Sequence, residues 1–149
     1  VVYDRNTLPQ NLHGRKGPEL HGAIYMARDL LRETAPLRWI VLQQHGVPNW
    51  AHSGEIPTTP IPFAVTSDEA QIVAVRQGFG IAPLSCFVGD ADPLLARVPG
   101  TPVRLHGALW ILTQGETRKT KRVQLFTEFI AHRLAAHAQL LSGKSDPPG

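Results

Sequence analysis

The sequence predicts an α/β fold, and three observations carry the prediction. Short β-branched and aromatic runs recur along the chain, helical patterns separate them, and one of those helices opens on a capping signature. The clearest strand is Arg38-Trp39-Ile40-Val41-Leu42, which is apolar without alternation, as a strand buried on both faces of a parallel sheet must be. The clearest helix follows Thr66-Ser67-Asp68-Glu69, where a hydroxyl precedes a carboxylate at the spacing of a capping box.

The first twenty residues hold Pro9, Gly14, Gly17 and Pro18 among polar residues and show no period, so residues 1–20 are read as an extended crossover. His21 to Met26 then forms a short strand running into a helix around Arg28 to Glu33, which Pro36 ends. The strand at Arg38 to Leu42 comes next. From Gln43 to Pro60, Gly46, Pro48, Gly54, Pro57 and Pro60 mark a long irregular loop. Ile61 to Val65 is a strand with Pro62 near its start, where a missing donor is tolerated.

At the turn that follows, the Thr66 hydroxyl is expected to accept from the Glu69 amide while the Glu69 carboxylate reaches back. Ile72, Val75 and Phe79 share one helix face, and Gly78 and Gly80 stop the helix. Gly80 to Leu84 is the next strand, running into a short helical segment at Ser85 to Gly89. Gly107 to Leu112 has the pattern of another buried strand. A helix from about Lys119 to Ser142 closes the chain, with Val123, Phe126, Ile130, Leu134 and Leu141 as its apolar stripe.

Composition narrows the functional classes. The 149 residues suit one compact unit, and 42% hydrophobic with 18% charged residues is a globular balance. Thirteen glycines and thirteen prolines make the chain rich in turns without making it low-complexity. No apolar run approaches the roughly 18 residues of a membrane span, and no secretory signal pattern opens the chain, so no membrane partner is expected. The single cysteine, Cys86, can form neither an internal disulfide nor a thiolate zinc site, which points to a reducing, cytoplasmic compartment. The opening Val1-Val2-Tyr3, with Met26 as the only methionine, suggests a piece of a longer chain.

Four residues stand out as candidate ligand contacts. Gln43 and Gln44 follow the carboxyl end of a buried strand, where open α/β sheets bind ligands, and an amide offers both a donor and an acceptor. Thr66 and Ser67 sit at a helix start, where unpaired N–H groups and a partial positive charge attract anions. Each has a plainer reading, as solvated loop for the glutamines and as simple caps for the hydroxyls.

Other chemistry is poorly supported. His132 and His137 are five apart and do not share a helix face, and His45 and His52 lack a carboxylate or cysteine at ligand spacing, so no metal is expected. Gly78-Phe79-Gly80 ends a helix instead of opening one, which leaves no phosphate loop and no cofactor. Cys86 has no nucleophile-elbow context, and an enzyme is not expected. Arg118-Lys119-Thr120-Lys121-Arg122 holds four of the positive charges behind the net charge of +3 and reads as a solvated face.

The stretch Ile61 to Phe87 (Ile-Pro-Phe-Ala-Val-Thr-Ser-Asp-Glu-Ala-Gln-Ile-Val-Ala-Val-Arg-Gln-Gly-Phe-Gly-Ile-Ala-Pro-Leu-Ser-Cys-Phe) resembles the effector-binding domain of LysR-type transcriptional regulators. Gly22 to Ala27, Arg38 to Leu42, Leu109 to Leu112 and Arg122 to Leu134 resemble other segments of that domain in the same order. The resemblance implies a two-lobed fold of the periplasmic-binding-protein type (type 2). Residues 21–100 would be the second lobe, residues 101–142 the return to the first lobe through a strand and the C-terminal helix, and residues 143–149 a flexible tail.

It further implies a regulatory domain sensing a small anionic metabolite, without cofactor. Gln43, Gln44, Thr66 and Ser67 fall at positions lining the family's cleft. DNA would be contacted only through an absent N-terminal helix-turn-helix, and the intact regulator would be a homo-oligomer. The main rival is a periplasmic-type solute-binding protein, which shares the fold. The others are a hydrolase using Ser85 or Cys86 and direct nucleic-acid binding through Arg118 to Arg122.

Overall fold

The computed structural model describes residues 2–3, 12–47, 56 and 58–144, with the side chains of Val2, Tyr3 and Arg118 outside that description. The chain is mixed α/β and divides into two compact units. Of the described residues, one takes those up to Gly22, Ser85–Phe87 and 104–144; the other takes those within Ala23–Leu84 and Val88–Val103.

In the first unit, β1 (Val2–Tyr3) and β2 (Leu12–Ala27) both pair antiparallel with β7 (Arg104–Gln114). The stretch 12–20, read as a crossover without period, is thus the first half of a sixteen-residue strand. Its register against β7 shifts between Lys16 and Glu19, so Gly17 and Pro18 fall in an irregularity where Pro18 disturbs no regular ladder. A Cβ on Gly14 would come within 3.0 Å of Trp110 and Leu112, which explains the glycine there. β7 is less buried than expected: only Ala108 is fully covered.

The closing helix also differs from its sequence reading. It ends as α3 at Ala136, and a separate turn, α4 (Ala138–Leu141), follows His137. Along α3 (Lys121–Ala136) the half-buried line runs Val123, Thr127, Ile130 and Leu134, whereas Phe126 is exposed. Threonine interrupts the apolar pattern and hides the true face.

The second unit is built around a parallel pair. β3 (Ile40–Leu42) lies beside β4 (Phe63–Val65) in the register Ile40↔Phe63, Val41↔Ala64 and Leu42↔Val65. On its other side Ile40 donates to the Ile81 carbonyl at 2.8 Å, and the Ile81 amide donates to the Arg38 carbonyl at 2.8 Å. β3 is therefore flanked on both edges, and Ile40 and Val41 are buried. β5 (Ala82–Ser85) and β6 (Leu95–Arg97) both pair with β2, and α2 (Cys86–Gly89) follows β5 directly.

Ile24, Met26, Trp39, Val41, Ile81 and Val98 form the core of this unit. The expected helix after Met26 is a 3-10 helix over Arg28–Arg32, short enough to turn the chain before Pro36. The capped helix is α1 (Asp68–Arg76), which Gly78 terminates at φ 77°. Its inner face is Gln71, Ala74 and Val75, so the helix is rotated from the expected stripe and Phe79 stays outside. Gln71 is buried because its side-chain amide donates to the Ile40 carbonyl at 2.9 Å, which ties α1 to β3.

Candidate functional site

The register of β3 and β4 places the residues that follow them side by side. The Gln43 amide donates to the Val65 carbonyl at 2.9 Å, so Gln43 leaves β3 next to the point where Thr66 leaves β4. The chain then turns at once, with the amides of His45 and Gly46 donating to Leu42 and Gly46 at φ 65°. Gln43, Gln44 and Thr66 are exposed and Ser67 is half-buried. All four belong to the second unit, at the carboxyl ends of two adjoining parallel strands, where α/β sheets bind ligands. The part of the following loop from residue 48 to residue 55 lies outside the described residues.

The capping differs from expectation by one residue. Ser67, not Thr66, is the N-cap: its backbone is extended, and its hydroxyl accepts from the Ala70 amide at 3.2 Å. The cap moves because the helix begins at Asp68, one residue later than a Thr66 cap requires. The Glu69 carboxyl is held below its ordinary pKa, first by a hydrogen bond from its own backbone amide and second by the Ser67 hydroxyl.

Two donors of the first turn are therefore satisfied within the chain, and Asp68 and Glu69 place negative charge there. The groups left for a ligand are the Thr66 hydroxyl and the side-chain amides of Gln43 and Gln44, which make no hydrogen bond among the described residues.

The two hydroxyls can be separated by mutation. Ser67→Ala is expected to destabilise the fold by about 1 kcal/mol, the usual cost of losing a cap, with Thr66→Ala nearly neutral. The same Ser67→Ala should raise the Glu69 pKa towards normal, read by carboxyl-carbon NMR. Because that pKa is depressed in the fold, the stability linked to it is present above the ordinary glutamate pKa and lost as pH falls through the lower folded value.

Elsewhere in the second unit lies a buried polar cluster that the sequence reading missed. The Tyr25 hydroxyl donates to Asp90 at 2.7 Å, and the Arg97 guanidinium donates to both oxygens of Asp90. This pairing raises the already high Arg97 pKa further. Asp90 and Tyr25 are fully buried. The only hint was an acid in the apolar run Cys86-Phe87-Val88-Gly89-Asp90. Among the described residues no group of three or more His, Cys, Asp or Glu could hold a metal ion, and no helix is long and apolar enough to cross a membrane.

The same architecture occurs in solved regulator structures. The effector domain of the transcriptional regulator AmpR of Pseudomonas aeruginosa superposes with a TM-score of 0.68 at 14% identity, over 89% of this chain and 70% of that one. The fold is that of a LysR-type effector-binding domain. The regulatory domain of CrgA, a LysR-type transcriptional regulator from Neisseria meningitidis, matches with a TM-score of 0.63 at 17% identity, over 84% of this chain and 70% of that domain.

Against the longer structure of CrgA, this chain spans 49% of the length, at a TM-score of 0.66 and 16% identity. No protein-family model and no curated protein matches the sequence. The LysR-type effector-binding fold agrees with the type 2 periplasmic-binding-protein architecture that the resemblance implied.

Proposed function

We propose that the chain is the effector-binding regulatory part of a LysR-type transcriptional regulator, not an enzyme, and that it binds a small metabolite bearing a carboxylate. The observation that carries the site is the Leu42↔Val65 register, which brings the Gln43 and Thr66 turns together at two strand ends. Gln43, Gln44 and Thr66 hydrogen-bond the ligand, and Ser67 shapes the turn while capping α1. The two carboxylates of the first helical turn favour a ligand of low negative charge.

A ligand that binds one arrangement of the intact regulator better than another shifts its population and so its DNA contacts. Cys86 is fully buried, which fits a small apolar core residue better than a nucleophile.

Calorimetry with a panel of small mono- and dicarboxylates tests the site. At least one compound is expected to bind, with affinity falling about tenfold in Gln43→Ala and in Thr66→Val, the size of one lost charge-assisted hydrogen bond. Unchanged affinity in both variants would remove these residues from the site. A helix-turn-helix encoded upstream in the parent gene separates the regulator from a transport protein of the same fold.

A further inference from the structure

We infer that the second unit carries a second small-molecule site, at the amino end of β3, that takes a zwitterion with an apolar body, an α-amino acid by class. A groove of about 360 Å³ lies there, within the range of ligand pockets. Leu30, Pro36 and Phe79 give it apolar walls, and Glu33 and Arg38 give it charge. It stands at the opposite end of the strand pair from Gln43 and Thr66, because Arg38 precedes β3 and Gln43 follows it.

The two charges are uncommitted. Arg28 donates to the carbonyls of Pro93 and Leu95, Arg76 pairs with Asp92, and Arg97 pairs with Asp90. The side chains of Arg38 and Glu33 make no hydrogen bond or ion pair, either with each other or with another described residue, the backbone bonds of both being separate from them. One groove therefore offers a guanidinium for a carboxylate and a carboxylate for an ammonium, and a monoanion or a monocation would leave one of them unused.

The apolar side of the groove is shaped by glycines. Gly78 and Gly80 flank Phe79 with positive φ, so no side chain from either position fills the space between Leu30 and the Phe79 ring. Phe79 is 61% exposed and stacks on Phe63, centroids 6.0 Å apart. That pairing holds the ring in place without covering its outer face. A branched or aromatic ligand body would cover it and remove apolar surface from water.

Titration of the full chain with L-leucine, followed by amide NMR, tests the assignment. Saturable shifts are expected at Gly78, Phe79 and Gly80, weakened about tenfold in Arg38→Gln and in Glu33→Gln and unaltered in Gln43→Ala. 4-Methylpentanoate, which lacks the ammonium, and 3-methylbutylamine, which lacks the carboxylate, should each bind more weakly than leucine. Circular dichroism of the two charge variants, both at exposed positions, confirms that they fold. The proposal is overturned by absence of saturable binding, by 4-methylpentanoate binding as tightly as leucine, or by binding that Gln43→Ala abolishes and Arg38→Gln leaves intact.

Discussion

Gly80→Ala is expected to cost about 3 kcal/mol or more and to lower the thermal midpoint by roughly 10 °C. Gly80 has φ 156°, and a Cβ there would lie 2.0 Å from the carbonyl oxygen of Arg38 and 2.9 Å from its carbon. Both atoms belong to the backbone, so no rotamer relieves the overlap. The same oxygen accepts the Ile81 amide, and Ile40 donates back to the Ile81 carbonyl. Alanine would push β3 away from the bridge that fixes its edge, and with it the strand end that presents Gln43. Gly100→Ala is the control: φ is 78° and nothing lies within 4 Å, so only the left-handed penalty of about 1–2 kcal/mol applies. Thermal denaturation of both variants decides it. Gly80→Ala no worse than Gly100→Ala would contradict the close approach.

The contrast between those two glycines shows what the sequence could and could not display. Gly78 and Gly80 announced a helix stop, since chain reversal is a local event that needs glycine wherever it occurs. That Gly80 also lies against Arg38, far away in sequence, is a tertiary fact with no local signature. The strand at Arg38 to Leu42, the strand before Thr66 and the short helix after Ser85 were all legible, because each is a compact apolar run bounded by turn residues. Leu12 to Leu20 was not: its glycines are there for Trp110, Leu112 and Leu109 across the sheet, and they erase the alternation that marks a strand.

The placement of the candidate residues was legible by the same logic. Residues just after two parallel strands must meet if the strands are neighbours, so Gln43 and Thr66 could be named from position alone. Which of Thr66 and Ser67 caps the helix turned on a one-residue boundary, and element ends are where backbone and side-chain hydrogen bonds compete most evenly. The stripe on α1 failed for a different reason. Gln71 looks solvent-facing by type, yet its amide satisfies the Ile40 carbonyl, and a buried polar residue of that kind is invisible until its partner is known.

Asp90→Ala should be the other severe substitution, costing about 3–5 kcal/mol, because it leaves the buried Tyr25 hydroxyl and the largely covered Arg97 guanidinium without their shared acceptor. Removing one partner of such a cluster is worse than never having it, since the remaining charge stays desolvated. The double variant Asp90→Ala, Arg97→Met is therefore expected to be more stable than Asp90→Ala alone, and a double-mutant cycle in urea reads the coupling. Tyr25→Phe, which removes one hydroxyl donor to a charged acceptor, should cost about 1.5–3 kcal/mol.

The cluster also sets a local packing limit. A Cβ on Gly89 would fall 2.3 Å from the Tyr25 ring, so the ring and the chain before Asp90 are pressed together. The pH dependence has a definite sign. Because Asp90 raises the Arg97 pKa, the stabilisation held by Arg97 is complete below the ordinary arginine range and is lost only as pH rises through the still higher folded value. Between about pH 6 and pH 9 the Arg97→Met penalty should thus stay constant. An Arg97→Met penalty close to zero across that window would show that the guanidinium and carboxylate are not paired in solution.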